Sequence, residues 1–138
     1  LKRLISVPVN AGEILELMCG RIPLGDDSRS ELRMKKTGKE YVLDITDLDT
    51  KKIDRVHFLN DKLTVFKFER VDKNGRLTYR SIFEKMQKFE DFVLPTQMRL
   101  FNEAGLQLDI EVDRCWVNPN LGPRAFILKP PESEKVTD

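Results

Sequence analysis

The spacing of apolar residues changes once along this chain, and that change restricts its fold more than any other feature. Near the start, Ile14, Leu17 and Met18 recur at i, i+3 and i+4, the stripe of a short amphipathic helix. Asn10 occupies the N-cap place with Glu13 three residues on, the capping-box pattern, and Gly20 supplies a stop. From Tyr41 onward the period is two. Tyr41, Leu43 and Ile45 alternate with Val42, Asp44 and Thr46, and further alternating segments follow at short intervals. Consecutive short strands joined by tight turns specify an antiparallel meander.

We expect strands at residues 56–59, 63–71, 76–83, 92–94, 97–102 and 106–118, with weaker extended pieces at 4–8 and 125–129. Asn74-Gly75, between two alternating runs, marks a hairpin in which both residues accept positive φ. Leu77, Tyr79, Ser81 and Phe83 share one face, and Arg80 and Glu84 the other. In the 106–118 segment, Leu106, Leu108, Ile110 and Val112 face one way and Gln107, Asp109, Glu111 and Asp113 the other, as in a sheet with one wet face. Residues 22–30 read as a loop, 85–91 as a bulge, loop or short turn, and Pro95 as a break. The fold class is therefore mainly β: a meander of about seven strands forming an incomplete β-barrel with a short helical lid. Residues 1–131 make one domain, and 132–138 a flexible tail. A helix of about ten residues is too short to cover such a sheet. Large side chains, another copy, a missing N-terminal part or a ligand must complete the cover.

Composition removes several functions. Lysine and arginine (24) nearly cancel aspartate and glutamate (23), and the charge is spread along the chain, so no nucleic-acid partner is expected. The basic residues Arg76, Arg80, Lys85 and Lys88 alternate with Tyr79 and Phe83, but acidic residues interleave with them. No apolar run approaches the roughly 20 residues that span a bilayer. The chain opens on an apolar segment, Leu1-Lys2-Arg3-Leu4-Ile5, without an initiating Met or a signal peptide, and is expected to be a fragment or a trimmed domain. Cys19 and Cys115 are expected to be buried small hydrophobes, with a disulfide or a metal pair as the alternatives.

Catalytic and metal constellations are equally sparse. His57 is the chain's one histidine and has no serine or cysteine placed to use it, so packing or surface exposure is the expectation. Asp44, Asp47 and Asp49 lack the glycine and distant glutamate of a calcium loop, and residues 20–25 lack the lysine of a phosphate-cradling one. Asp109, Glu111 and Asp113 form a carboxylate row that reads as the wet face, although an acid/base role is its chemical alternative. We expect no catalytic residue, no metal and no cofactor.

What remains is the apolar face. Ile14, Leu17, Met18, Leu63, Val65, Tyr79, Phe83, Met98, Leu100, Leu108 and Ile110 are expected to line a concave surface, with Val112 continuing it. Such a surface is either an ordinary dry core or a cavity for acyl chains, whose exposure to water costs about 0.8 kcal/mol per methylene.

Several short motifs bear on that choice. Leu15-Glu16-Leu17-Met18-Cys19-Gly20-Arg21-Ile22-Pro23-Leu24 is similar to the helix-to-loop stretch of the lipoprotein-localisation superfamily (LolA/LolB-like), closest to its outer-membrane receptor type. Leu94-Pro95-Thr96-Gln97-Met98-Arg99-Leu100 resembles a strand of that family, and Val117-Asn118-Pro119-Asn120 with Phe126-Ile127-Leu128-Lys129-Pro130-Pro131 resembles its ending. The resemblance implies an incomplete barrel with a helical lid, holding acyl chains of lipids or lipoproteins in the envelope of Gram-negative bacteria. It implies a periplasmic or outer-membrane location and an envelope carrier protein as partner. It also implies that the family's first strands precede Leu1, together with any lipid-anchoring cysteine and peripheral membrane attachment. Cys19 is no substitute for that anchor, since it falls within the helix. The competing expectation is a scaffold or sensor module whose concavity is filled by its own side chains. A charged residue at Leu100 or Leu108 is expected to abolish fatty-acid binding if these residues line a cavity, and to unfold the protein if they are core.

Overall fold

The computed structural model describes residues 9–24, 29–59, 64–116, 119–123 and 127. One helix, α1 (Ala11–Met18), precedes seven strands: β1 (Ser30–Thr37), β2 (Glu40–Asp47), β3 (Ile53–Leu59), β4 (Thr64–Val71), β5 (Leu77–Phe89), β6 (Phe92–Phe101) and β7 (Gln107–Glu111). They form one antiparallel sheet in sequence order, and β1 and β7 do not meet, so the meander stays open. The expected class holds, with four strands redrawn. β1 begins at the last residue of the expected loop and runs through a stretch for which no element is expected, because only Leu32 and Met34 interrupt its polar and charged residues and every position is exposed. Residues 85–89 continue β5 past a bulge, one of the three forms expected there, and Pro95 lies inside β6 rather than breaking it. The last hairpin strand is shorter than expected, ending at Glu111. The extended pieces at 4–8 and 125–129 and the tail lie outside the described residues, apart from the exposed Ile127.

The helix is built from its ends. Asn10 accepts a hydrogen bond from the Glu13 N–H (2.8 Å), and the Glu13 carboxylate accepts one from the Asn10 N–H (3.1 Å), closing the capping box. At the other end the Gly20 N–H donates to Leu17 O and the Arg21 N–H to Glu16 O, both at 2.9 Å, a Schellman pair that needs the left-handed φ of 71° at Gly20. The same glycine permits close approach to the sheet. A Cβ there would stand 3.4 Å from Pro95 Cδ and 3.6 Å from Val93 O.

Turns between β4 and β5 and between β6 and β7 share one design. Asp72 and Asn102 cap their own turns with side-chain oxygens, and Gly75 and Gly105 take the positive φ. Asn74 does not adopt positive φ, so the Asn-Gly signal marks the hairpin correctly but as a longer turn than the two-residue type.

The helix covers one face of the sheet, here the inner face. Register carries an inward row across it, apolar except for Ser81: Leu43, Val56, Phe68, Ser81, Leu100 and Leu108 lie opposite one another in successive strands. Leu17 plugs this row and is fully buried with Phe68, Tyr79 and Leu100, while Met98, Val56 and Phe83 complete the core. Val56 and Phe68 are core residues absent from the expected set. Truncation of Leu17→Ala is expected to cost about 2–5 kcal/mol, since it opens a cavity that a short helix cannot close. Urea unfolding monitored by tryptophan fluorescence and circular dichroism measures that loss.

Candidate functional site: an apolar pocket and a buried arginine latch

Two compensating irregularities shape the sheet where α1 ends. Phe83 lies opposite Met98 and Lys85 opposite Gln97, which makes Glu84 an extra residue in β5. Met86 then lies opposite Pro95, which makes Thr96 an extra residue in β6. Pro95 has no N–H to give to a ladder, and a bulge is where a strand tolerates it. Beyond the bulges Met86 and Lys88 turn to the inner face, and Lys88 lies opposite Val93. Together with Gly20 from the helix end and Thr64, Val65 and Phe83, these residues line a pocket of about 590 Å³. That volume falls within the range of small-molecule sites, and most of its wall is hydrocarbon.

Beside the pocket, a buried cation ties the helix to the sheet. Arg70 on β4 faces inward and is only 8% exposed. Its Nε donates to Asp54 Oδ1 (2.8 Å) and its terminal nitrogens donate to Asp54 Oδ2 (3.1 Å), Glu13 Oε1 and the Pro23 carbonyl (2.8 Å). The guanidinium also lies 5.7 Å and 5.5 Å from the ring centroids of Phe68 and Tyr79. Burial disfavours its charge, but its hydrogen bonds to Asp54 and the surrounding negative charge outweigh that and raise its pKa further. The Tyr79 hydroxyl is pushed up as well, chiefly by burial. A second, more polar hollow of about 290 Å³ runs from Asn10 and Gly12 past Glu13, Glu16, Pro23 and Leu24 to Lys52 and Arg70.

The eleven expected lining residues divide into four groups. Val65 and Phe83 line the larger pocket. Leu17, Tyr79, Met98 and Leu100 are packed beneath the helix with 0–2% exposure. Ile14, Met18, Leu108 and Ile110 flank that core half-buried, and Leu63 lies outside the described residues. Leu100→Lys therefore reports on folding. Met86, Lys88 and Val93 were missed because strict alternation fails at a double bulge. The bulge expected as one form of residues 85–91, and Pro95 across from it, were its signals in the sequence.

On the outer face, polar residues pair with each other. His57 is 8% exposed and lies between two carboxylates: its Nδ1 bonds Glu40, and its Nε2 sits 3.0 Å from Glu69 Oε1 without the alignment of a hydrogen bond. Lys67 and Arg80 approach Glu69 at 3.5 and 3.4 Å, and Arg55 binds Asp44 with two hydrogen bonds. The aspartates with a metal-loop look are thereby accounted for. Asp44 holds Arg55, Asp49 meets Arg29, and Asp47 accepts from the Asp49 and Thr50 N–H groups. Among the described residues no cluster suited to a metal occurs. Asp109 meets Arg99 at 3.7 Å, and Asp113, which lies beyond β7, is almost fully exposed, so the carboxylate row does not converge on a cleft. Cys19 is exposed rather than buried, because it is the C-cap of α1 and faces away from the core; Cys115 is half-buried, and both are thiols.

No known protein family, curated protein or solved structure matches this chain. Pocket and latch must speak for themselves.

Two outcomes follow from these charges. Asp54→Ala leaves Arg70 buried without its main partner and is expected to cost about 3 kcal/mol in chemical unfolding. Burial tends to raise the Glu69 carboxyl, but the charges of Arg80, Lys67 and His57 outweigh it and hold the group below the ordinary value of 4.5. The stability this contributes is present above pH 4.5 and is lost as pH falls through the folded-state value. Glu69→Gln should lower stability at neutral pH and flatten its decline on the acid side, as read from midpoints between pH 7 and 3.

Proposed function

We propose that this domain binds the acyl chain of an amphiphile, without chemistry, in the pocket between Gly20, β4, β5 and β6. The supporting observation is an apolar hollow of about 590 Å³ walled by Val65, Phe83, Met86 and Val93 beside a core that is otherwise filled. Each methylene moved from water into such a wall gains about 0.8 kcal/mol, so a chain of moderate length is held by area alone. The polar hollow near Arg70 is a poorer acyl site, since its charges already satisfy one another. Passage of a chain from one such pocket to a better one needs only a difference in affinity. The motif resemblance extends this to lipoprotein acyl chains in a Gram-negative envelope, at the periplasm or outer membrane, with an envelope carrier protein as partner.

The dry core under α1 favours a second reading, a scaffold whose apolar face is filled by Leu17, Tyr79, Met98 and Leu100. Titration with a fluorescent fatty acid separates the two. Val65→Asn and Val93→Asn are expected to weaken binding about tenfold, and Leu32→Asn, on the distant exposed strand β1, to leave it unchanged. No binding by the unaltered protein, or equal binding by all variants, leaves the scaffold.

A further inference from the structure

Resting on the acyl-binding reading above, we propose that the pocket selects amphiphiles with an anionic head and that Lys88 is the residue that reads it. The bulges at Glu84 and Thr96 put Lys88 on the same face as Met86, opposite Val93, so an ammonium stands among pocket walls that are otherwise mainly apolar. Lys88 is exposed, which places it at the rim rather than the floor. A lysine at such a rim can lay its stem on hydrocarbon while its charge stays in water.

Among the described residues Lys88 has no acidic partner, as is also true of Lys35, Lys36 and Lys85, but of these four lysines it is the one that lines the pocket. Arg55, Lys67, Arg70, Arg80 and Arg99 each lie within ion-pair distance of a carboxylate. Among the described residues no carboxylate lies that close to Lys88. An unpaired point charge at the mouth of an apolar hollow complements a molecule with a hydrocarbon tail and an anionic oxygen head. Carboxylate and phosphate heads share that chemistry, since lysine binds either as a point charge rather than through a fixed fork.

Calorimetric titration of the whole chain with decanoate, decyl phosphate and decan-1-ol at pH 8 tests this. The three share a tail, and the first two are anionic. Binding of one or both anions roughly fivefold tighter than the alcohol is expected, the size of a solvent-exposed ion pair, with the better anion identifying the head. Lys88→Met should bring the anions to the level of the alcohol, and Lys88→Arg should keep the preference. Lys85→Met, opposite Gln97 and outside the pocket lining, should change nothing. Raising the salt concentration should narrow the gap. Equal binding of all three by the unaltered protein, or a preference that survives Lys88→Met, overturns the assignment of Lys88 while leaving the acyl pocket standing. Absence of binding by all three overturns both.

Discussion

A single guanidinium organises the inner face. A short helix gains little from its own hydrogen bonds and must be held by what it packs against. Leu17 supplies the apolar part of that hold, and Arg70 the polar part. Glu13 is central because its carboxylate has two tasks: one oxygen closes the capping box on Asn10 and the other receives Arg70. The Pro23 carbonyl, beyond the helix end, is bound by the same side chain. One buried cation therefore fixes the start of α1, the chain leaving it, and β3 through Asp54. Its charge survives burial because three acceptors and two aromatic faces replace the water it lost.

With the helix fixed, the position of the pocket follows from geometry. α1 is followed by a glycine whose missing side chain would face Pro95 and Val93 of β6, and it is at Pro95 that the ladder slips. A regular sheet would bring a full row of side chains under the helix end. The extra residues Glu84 and Thr96 instead re-aim the strand ends, so that Met86 and Lys88 border space rather than fill it. Core and pocket are thus neighbours with different causes: matched register makes the first, and mismatched register makes the second.

Much of this was legible in the residues. The helix, with both its caps, follows from Asn10, Glu13 and Gly20, and the inward faces of β5 and β7 follow from simple alternation. Legibility failed where alternation was interrupted or lacked apolar contrast. An extra residue at Phe66 changes parity in β4, so Val65 and Phe68 share a face although their numbers differ by an odd step, and Phe68 escaped notice. The inward-facing charges Asp54 and Arg70 drew no expectation, because nothing local reveals that a carboxylate at position 13 will meet an arginine at position 70. The pocket residues beyond Phe83 failed for the same reason as Phe68. β1 was missed for the opposite one: its alternation is faint, with Leu32 and Met34 set among Glu31, Arg33, Lys35 and Lys36.

That first strand has a colloidal consequence. Only β2 pairs with it among the described residues, which leave its other edge unpaired along eight residues, beside two exposed apolar side chains. A regular edge of this length is a template for adding another chain, and proteins commonly guard such edges with lysine. Lys35 and Lys36 hold that place here. Their protection is electrostatic and so depends on the medium: dilute buffer keeps neighbouring molecules apart, whereas concentrated salt shortens the reach of the repulsion to a few ångströms and lets edges approach. At this edge the guard against association is local, two ammonium groups on one ribbon, and is independent of the nearly balanced total charge.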